Sequence, residues 1–294
     1  MKITKAIIPA AGFGTRFLPA TKSQPKEMLP IVDKPAIHYI VEEAVNSGIK
    51  EIIIITSRGK HSIEDYFDHS SELFAHLAKK GKTEFIKDLQ RIESMAKFIY
   101  IRQPHPKGDG DAILQAQDIV KNEPFAVLFG DDIYDSNPPA LKQMMDIYEQ
   151  TNSPIIALTK IDKSQSFNYG MIKSKPTTST LHEITDFVEK PAPENSPSDL
   201  AVTGKYIVTP ELLNDLKSVA ESKESNSNNE ILLIDGMCKY VQKSPIYGLE
   251  IQGDRFDTGS KIGYLKAVTH FALKDPELRE DYKKHLQGLD LNSK

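Results

Sequence analysis

The sequence predicts an α/β fold in which a mostly parallel sheet is covered by helices on both faces, and three observations carry that expectation. Short apolar runs rich in β-branched residues recur through the first half of the chain. Helical stripes lie between them, and beyond Lys160 the pieces shorten into the pattern of a mixed sheet. With 294 residues, 39% of them hydrophobic, the chain can bury a full core without disulfides or metals. A single domain over 1–294, with decorations, is the expected organisation.

The first-half strands are expected at Lys5 to Pro9, Glu51 to Thr56, Phe98 to Arg102, Phe125 to Phe129 and Ile155 to Lys160. Continuous apolar runs of this kind suit strands buried on both faces. Pro35 to Ser47 is expected to be a helix, because Ile37, Ile40, Val41, Ala44 and Val45 form a one-sided stripe that stops at Gly48. Asp111 to Val120 and Pro139 to Gln150 supply two more helices. The polar segment Asp65 to Met95 is longer than an ordinary crossover and patterned as one or two helices around Gly81. It reads as a helical insertion at about 65–95.

In the second half, Tyr169 to Lys173, His182 to Glu189, Ala201 to Val208 and Pro245 to Ile251 read as strands. Thr209-Pro210-Glu211 is a helix start, with threonine as cap and proline at the first helical position. Pro191 to Asp199, with three prolines, and Ser222 to Asn229, rich in serine and asparagine, read as loops. Lys261 to Gln287 is helical in pattern, a C-terminal segment at about 260–290 that packs on the core or on another subunit.

Composition excludes several classes of function. A formal net charge of -4 offers no excess of positive charge for a nucleic-acid backbone or an anionic membrane. Cys238 is the only cysteine, so an internal disulfide and a cysteine zinc cage are ruled out, and a reducing compartment, the cytoplasm, is expected. Lys2 and Lys5 precede a short apolar stretch, but it is interrupted by Pro9 and too brief for a signal peptide. The apolar run Ile52 to Ile55 falls far below the roughly 20 residues that cross a bilayer.

Four signals could carry chemistry. After the first strand comes Ala10-Ala11-Gly12-Phe13-Gly14-Thr15-Arg16-Phe17-Leu18-Pro19, followed by Pro25-Lys26-Glu27-Met28-Leu29-Pro30. Small residues let the backbone close on a phosphate, while Arg16 and Lys26 can add charge-assisted bonds to the same anion. Phe17 stands where a dinucleotide fingerprint has its third glycine, and the Gly-Lys-Ser/Thr ending of a P-loop is missing, so the turn alone is also an ordinary strand-to-helix connection. The second signal is Phe125 to Asp132, a buried strand running into Asp131-Asp132. Carboxyl ends of strands face the ligand crevice in open α/β sheets, and one or two carboxylates with phosphate oxygens suffice for Mg²⁺. The third is Asp257, in Asp254-Arg255-Phe256-Asp257-Thr258-Gly259, either a helix N-cap or a second metal ligand. In the fourth, Asp186-Phe187-Val188-Glu189-Lys190-Pro191, Lys190 could meet a substrate phosphate and Glu189 sugar hydroxyls, or the two could form an exposed ion pair. The eight histidines are scattered and no Gly-x-Ser-x-Gly elbow exists, which argues against a nucleophile-and-histidine hydrolase.

Taken in order, these residues resemble the sugar-phosphate nucleotidyltransferases, and within them the bacterial UTP:glucose-1-phosphate uridylyltransferase branch. The run from Gly12 through Lys22 and from Pro25 to Pro35 carries most of the resemblance. Arg102-Gln103, Gly130-Asp131-Asp132, Tyr169-Gly170, Val188 to Pro191, Gly204-Lys205-Tyr206 and Asp257-Thr258-Gly259 extend it to the final helical segment. The resemblance implies a Rossmann-like three-layer sandwich with a mostly parallel mixed sheet. It further implies that Ala10, Ala11, Gly12, Glu27, Gln103 and Gly108 surround the base and ribose of UTP, and that Gly14, Arg16 and Lys26 meet its triphosphate. Gly170, Glu189 and Lys190 would hold glucose 1-phosphate, with Asp131 and Asp257 on Mg²⁺ and Asp132 the weaker ligand candidate. Arg16, Lys26, Asp131 and Lys190 would be the catalytic set. A homodimer or homotetramer is the oligomer that the resemblance implies.

Two stretches depart from the family pattern. Gly108-Asp109-Gly110-Asp111-Ala112 stands where the family has Gly-Leu-Gly-His-Ala, and Leu232 and Ile234 replace a polar Gln and Thr in Asn229 to Asp235. Another nucleotide and sugar pair, such as one using dTTP, and a catalytically silent sugar-nucleotide sensor therefore stay open. A dinucleotide-binding oxidoreductase is opposed by the missing third glycine.

Overall fold

A nine-stranded sheet organises the computed structural model, which describes residues 2–224 and 230–290. β1 (Lys5–Pro9) leads through three single-turn 3-10 segments into the two-residue strands β2 (Pro30–Ile31) and β3 (Lys34–Pro35) and then α1 (Ala36–Asn46). β4 (Glu51–Thr56), α2 (His61–Phe67), α3 (Ser71–Lys79), α4 (Thr83–Glu93) and β5 (Lys97–Arg102) follow. Next come α5 (Asp109–Leu114), α6 (Gln117–Val120), β6 (Phe125–Leu128), β7 (Asp132–Asp135), α7 (Ala140–Thr151) and β8 (Ile155–Lys160). The second half supplies β9 (Gly170–Pro176), β10 (Leu181–Glu189), β11 (Leu200–Val208), α8 (Pro210–Glu224) and α9 (Leu233–Tyr240). β12 (Ile246–Glu250), β13 (Asp254–Asp257), α10 (Lys261–Lys274) and α11 (Arg279–Gln287) complete it.

The strand order is β5-β4-β1-β6-β11-β8-β12-β10-β9. The four strands of the first half that lie together, β5, β4, β1 and β6, are mutually parallel. β11 and β10 run against their neighbours, so the second half is the mixed part of the sheet. β4 shows why the sheet has helices on both sides. Its side chains alternate between faces, and all of its isoleucines are buried. Ile52 and Ile54 join α1, α7 and α10 in one core, while Ile53 and Ile55 join α5, α8 and α9 in the other. The result is the three-layer sandwich.

Some expected elements differ in detail. The helix expected over Asp111 to Val120 starts earlier, at Asp109, and is broken in two. Gln115 and Ala116 donate to carbonyls three residues back, Ala112 and Ile113, and that tightening re-aims the chain before α6. Ser222 to Glu224, expected in a loop, are the last residues of α8, because Thr209 receives Leu212 N–H on its hydroxyl and starts a long helix at Pro210. The remainder of that expected loop, 225–229, lies outside the described residues. The C-terminal helical pattern divides at Asp275, whose carboxylate accepts from Glu277 and Leu278 N–H and turns the chain between α10 and α11. α3 and α4 pack together around Gly81 and bury none of their own residues. Among the described residues no helix is long and apolar enough to cross a membrane.

Candidate active site

Parallel β1 and β6 are neighbours, so the turns that leave their carboxyl ends open on the same edge of the sheet. Gly14 takes a left-handed conformation at φ 65°, and its carbonyl accepts from Thr21 Oγ1 at 2.8 Å. A Cβ there would lie 3.2 Å from Lys26 Cβ, so glycine lets the two segments close on one another. Arg16 donates to Gly259 O at 3.2 Å, tying this turn to residues near the C-terminal helices.

Beyond β6, the chain forms a two-stranded ribbon with β13, in which Asp132 faces Asp257. The ribbon brings the two distant acidic motifs together. Thr258 donates to Asp131 O through both its N–H, at 2.8 Å, and its hydroxyl, at 2.9 Å. A Cβ added to Gly259 would collide with Asp131 Oδ2 and sit 3.1 Å from Asp257 Oδ1, so both carboxylates converge over this glycine. Asp257 is not the cap of α10. It accepts Gly259 N–H at 3.1 Å, and Ser260 is the residue whose side chain caps the helix.

The two carboxylates sit in different electrostatic surroundings. Burial works to raise Asp131, but Lys26 Nζ at 2.5 Å and the nearby Arg16 outweigh it and hold its pKa below the ordinary carboxylate range. Lys26 responds in the opposite sense: burial disfavours its charge, yet Asp131 and Glu27 push its pKa up. Asp257 is raised, by burial and by the negative charge of Asp131 beside it. A pair of oxygen donors that repel each other across one small space is the arrangement a hard divalent cation relieves, so these residues fit such an ion with waters and phosphates completing its shell.

Asp132 has another task. It is 4% exposed, accepts Gly204 N–H at 2.8 Å on one oxygen, and holds Arg255 Nε at 2.6 Å on the other. Arg255 in turn lies 5.5 Å from the centre of the Tyr169 ring.

Two clefts meet at Asp131. One, of about 340 Å³, is lined by Ala11, Gly12, Lys26, Glu27, Gln103 and Gly108 among others. The other, of about 320 Å³, is lined by Arg16, Asp131, Gly170, Glu189, Lys190 and Asp257 together with apolar residues of α9. Of the sequence-predicted residues, two stand apart. The Ala10 methyl belongs to the core, and Gly14 lines neither cleft. Lys190, in a left-handed conformation at φ 44°, donates its N–H to Tyr169 O and keeps its ammonium 3.2 Å from Glu189.

Sequence reasoning missed two charged groups. Lys60 is buried with its ammonium 2.8 Å from Glu27 Oε2, while Glu27 Oε1 is buried with no hydrogen-bond partner among the described residues, on a side chain that lines the first cleft. Ser57-Arg58-Gly59-Lys60 carries no ligand pattern, so only the fold reveals the pair. Arg255 was visible beside Asp257, but its role as the partner of Asp132 depends on the ribbon register.

The glycine turn with its two cations and the converging carboxylates thus lie where two clefts share Asp131, an arrangement suited to bringing two phosphorylated ligands to one centre. The chain belongs to the nucleotidyl transferase family, whose model matches residues 5–272. A UTP:glucose-1-phosphate uridylyltransferase of Staphylococcus epidermidis is 46% identical over 99% of both chains. One from Bacillus subtilis is 47% identical over 98% of this chain and 96% of its own. Among solved structures, a UTP-bound UGPase from Acinetobacter baumannii superposes with a TM-score of 0.90 at 35% identity, covering 98% of this chain and 100% of that one. A UDP-glucose pyrophosphorylase complexed with UDP-glucose gives 0.83 at 40% identity, over 93% and 100%.

Proposed function

We propose that the chain transfers the uridylyl group of UTP to glucose 1-phosphate, forming UDP-glucose and releasing pyrophosphate. The observation that carries this reading is the meeting of Asp131, which lines both clefts, with Asp257, which lines the second. The names of relatives similar along their whole length, and the ligands named for the solved structures, support the choice of substrates.

In this reading an ionised phosphate oxygen of glucose 1-phosphate attacks the α-phosphorus of UTP in line. The new P–O bond forms as the bond to the β-phosphate breaks, and its electron pair leaves with pyrophosphate. The attacking oxygen already carries its charge, so no general base and no covalent enzyme intermediate are needed. Positioning and charge stabilisation do most of the work in such chemistry. Lys190 and Lys26 hold the two reacting phosphates against their repulsion, and Arg16 stabilises the departing pyrophosphate. Glu27, Gln103 and Gly108 address the nucleoside, with Glu189 and Gly170 at the sugar. Asp131 and Asp257 would hold Mg²⁺, which supplies charge neutralisation between the phosphates.

Asp131→Ala or Lys190→Ala is expected to abolish UDP-glucose formation while leaving the circular dichroism spectrum and melting curve close to the parent's. Near-normal turnover in either variant rejects the assigned roles. Pyrophosphate release measured across a panel of nucleoside triphosphates and sugar 1-phosphates tests the substrate pair. The reading also includes a single domain with α3 and α4 as its insertion, a cytoplasmic setting, and self-association into a homodimer or homotetramer. The exposed apolar side chains of Ile262 and Leu265 on α10 support that last element.

A further inference from the structure

Gln103 is 5% exposed at the wall of the nucleotide cleft, and its amide nitrogen makes two hydrogen bonds. It donates to Asp111 Oδ2 at 2.6 Å and to Gly108 O at 3.1 Å. A carboxylate and a backbone carbonyl only accept, so both amide hydrogens must point at them, and the amide cannot be turned over without setting oxygen against oxygen. Asp111 is itself steadied. It lies in the first turn of α5, where a negative charge is favoured, and Gln115 Nε2 is 3.4 Å from its other oxygen.

We propose that Asp111 is a positioning residue that fixes Gln103 with its amide oxygen as the group offered to the base, so that the cleft selects bases carrying a ring N–H over bases carrying a ring lone pair at that edge. Uracil and thymine have an imide N–H between two carbonyls. Cytosine has an acceptor nitrogen there, which would face the Gln103 oxygen with no hydrogen between them. A buried polar group left unpaired discriminates more sharply than shape does. The inference deepens the nucleotide reading above and rests on it.

The test compares the parent with Asp111→Asn and Asp111→Glu. Asparagine can turn either its oxygen or its nitrogen toward Gln103, so the glutamine amide becomes free to reverse. Glutamate keeps an acceptor-only partner. Pyrophosphate release is measured with UTP and with CTP, separating kcat from KM, and affinities for both nucleotides are measured by calorimetry. For Asp111→Asn, the UTP-to-CTP ratio of kcat/KM is expected to fall about tenfold or more, mainly through KM, with the same loss in the ratio of affinities. Asp111→Glu is expected to keep most of the discrimination. An unchanged ratio in Asp111→Asn, or equal loss in both variants, overturns the clamp. The calorimetric arm needs no turnover, so a parent that binds UTP over CTP without releasing pyrophosphate would sink the transferase reading and still test the clamp.

Discussion

Gly259 has no room for a side chain, because the two carboxylates of the centre close over its α-carbon. Gly259→Ala should therefore push Asp131 and Asp257 apart and lower kcat/KM by about a hundredfold or more, since small displacements at a reacting centre are that expensive. Its melting temperature should barely move, and steady-state kinetics beside a thermal melt checks both. The neighbours Asp131 and Asp132 separate at the same scale. Nothing in Asp131-Asp132 says which carboxylate faces the clefts. The answer lies in Gly204 N–H and Arg255, which occupy both oxygens of Asp132. Asp132→Ala leaves the Arg255 cation buried without its partner and should lower unfolding stability by about 3–5 kcal/mol in denaturant titrations. Asp131→Ala acts on turnover instead.

At the scale of elements, helix α1 carries its apolar stripe against the sheet and two buried ionisable groups besides. Glu43 accepts Leu141 N–H and pairs with Lys205 of β11 at 3.0 Å, pinning helix, sheet and the start of α7 together. Burial still raises the Glu43 pKa, with Lys205 pulling the other way. His38 is 1% exposed and bonded to the Tyr66 hydroxyl at 2.9 Å. Burial first, and the Lys34 charge second, lower its pKa to about 4 from its ordinary 6.5. Above that ordinary value the imidazole is neutral in both folded and unfolded chains. As pH falls toward 4 the unfolded chain takes up the proton first, so stability drops over this window, by up to about 3 kcal/mol. His38→Gln should flatten that part of the curve, seen as the difference between the two proteins in urea titrations at stepped pH. The helix itself was legible from Ile37, Ile40, Val41 and Ala44. Its buried ionisable groups were not, because their partners come from β11, α2 and α7 and no local pattern announces them.

Across the whole molecule, legibility follows the range of the cause. The isoleucines of β4 and the stop at Gly48 act locally, and the strands and helices they imply are present. The glycine turn after β1 and the acids after β6 could be placed on one sheet edge, since parallel strands end together. The pairing of Glu27 with Lys60 and of Asp132 with Arg255 depends on which loops the sheet order brings side by side, and that order is a global property. Outside the clefts, α10 presents Ile262 and Leu265, 63% and 58% exposed, as two neighbouring apolar side chains one turn apart on a helix surface. If the chain self-associates through it, Ile262→Glu with Leu265→Glu should shift sedimentation velocity profiles to a monomer while the far-ultraviolet spectrum is retained.

The ribbon of β7 and β13 joins the middle of the polypeptide to its last fifth. Its register sets Asp132 against Asp257 and Asp135 against Asp254. A one-residue slip would turn every side chain of the ribbon to its other face, so backbone pairing holds together acids whose like charges would otherwise drive them apart.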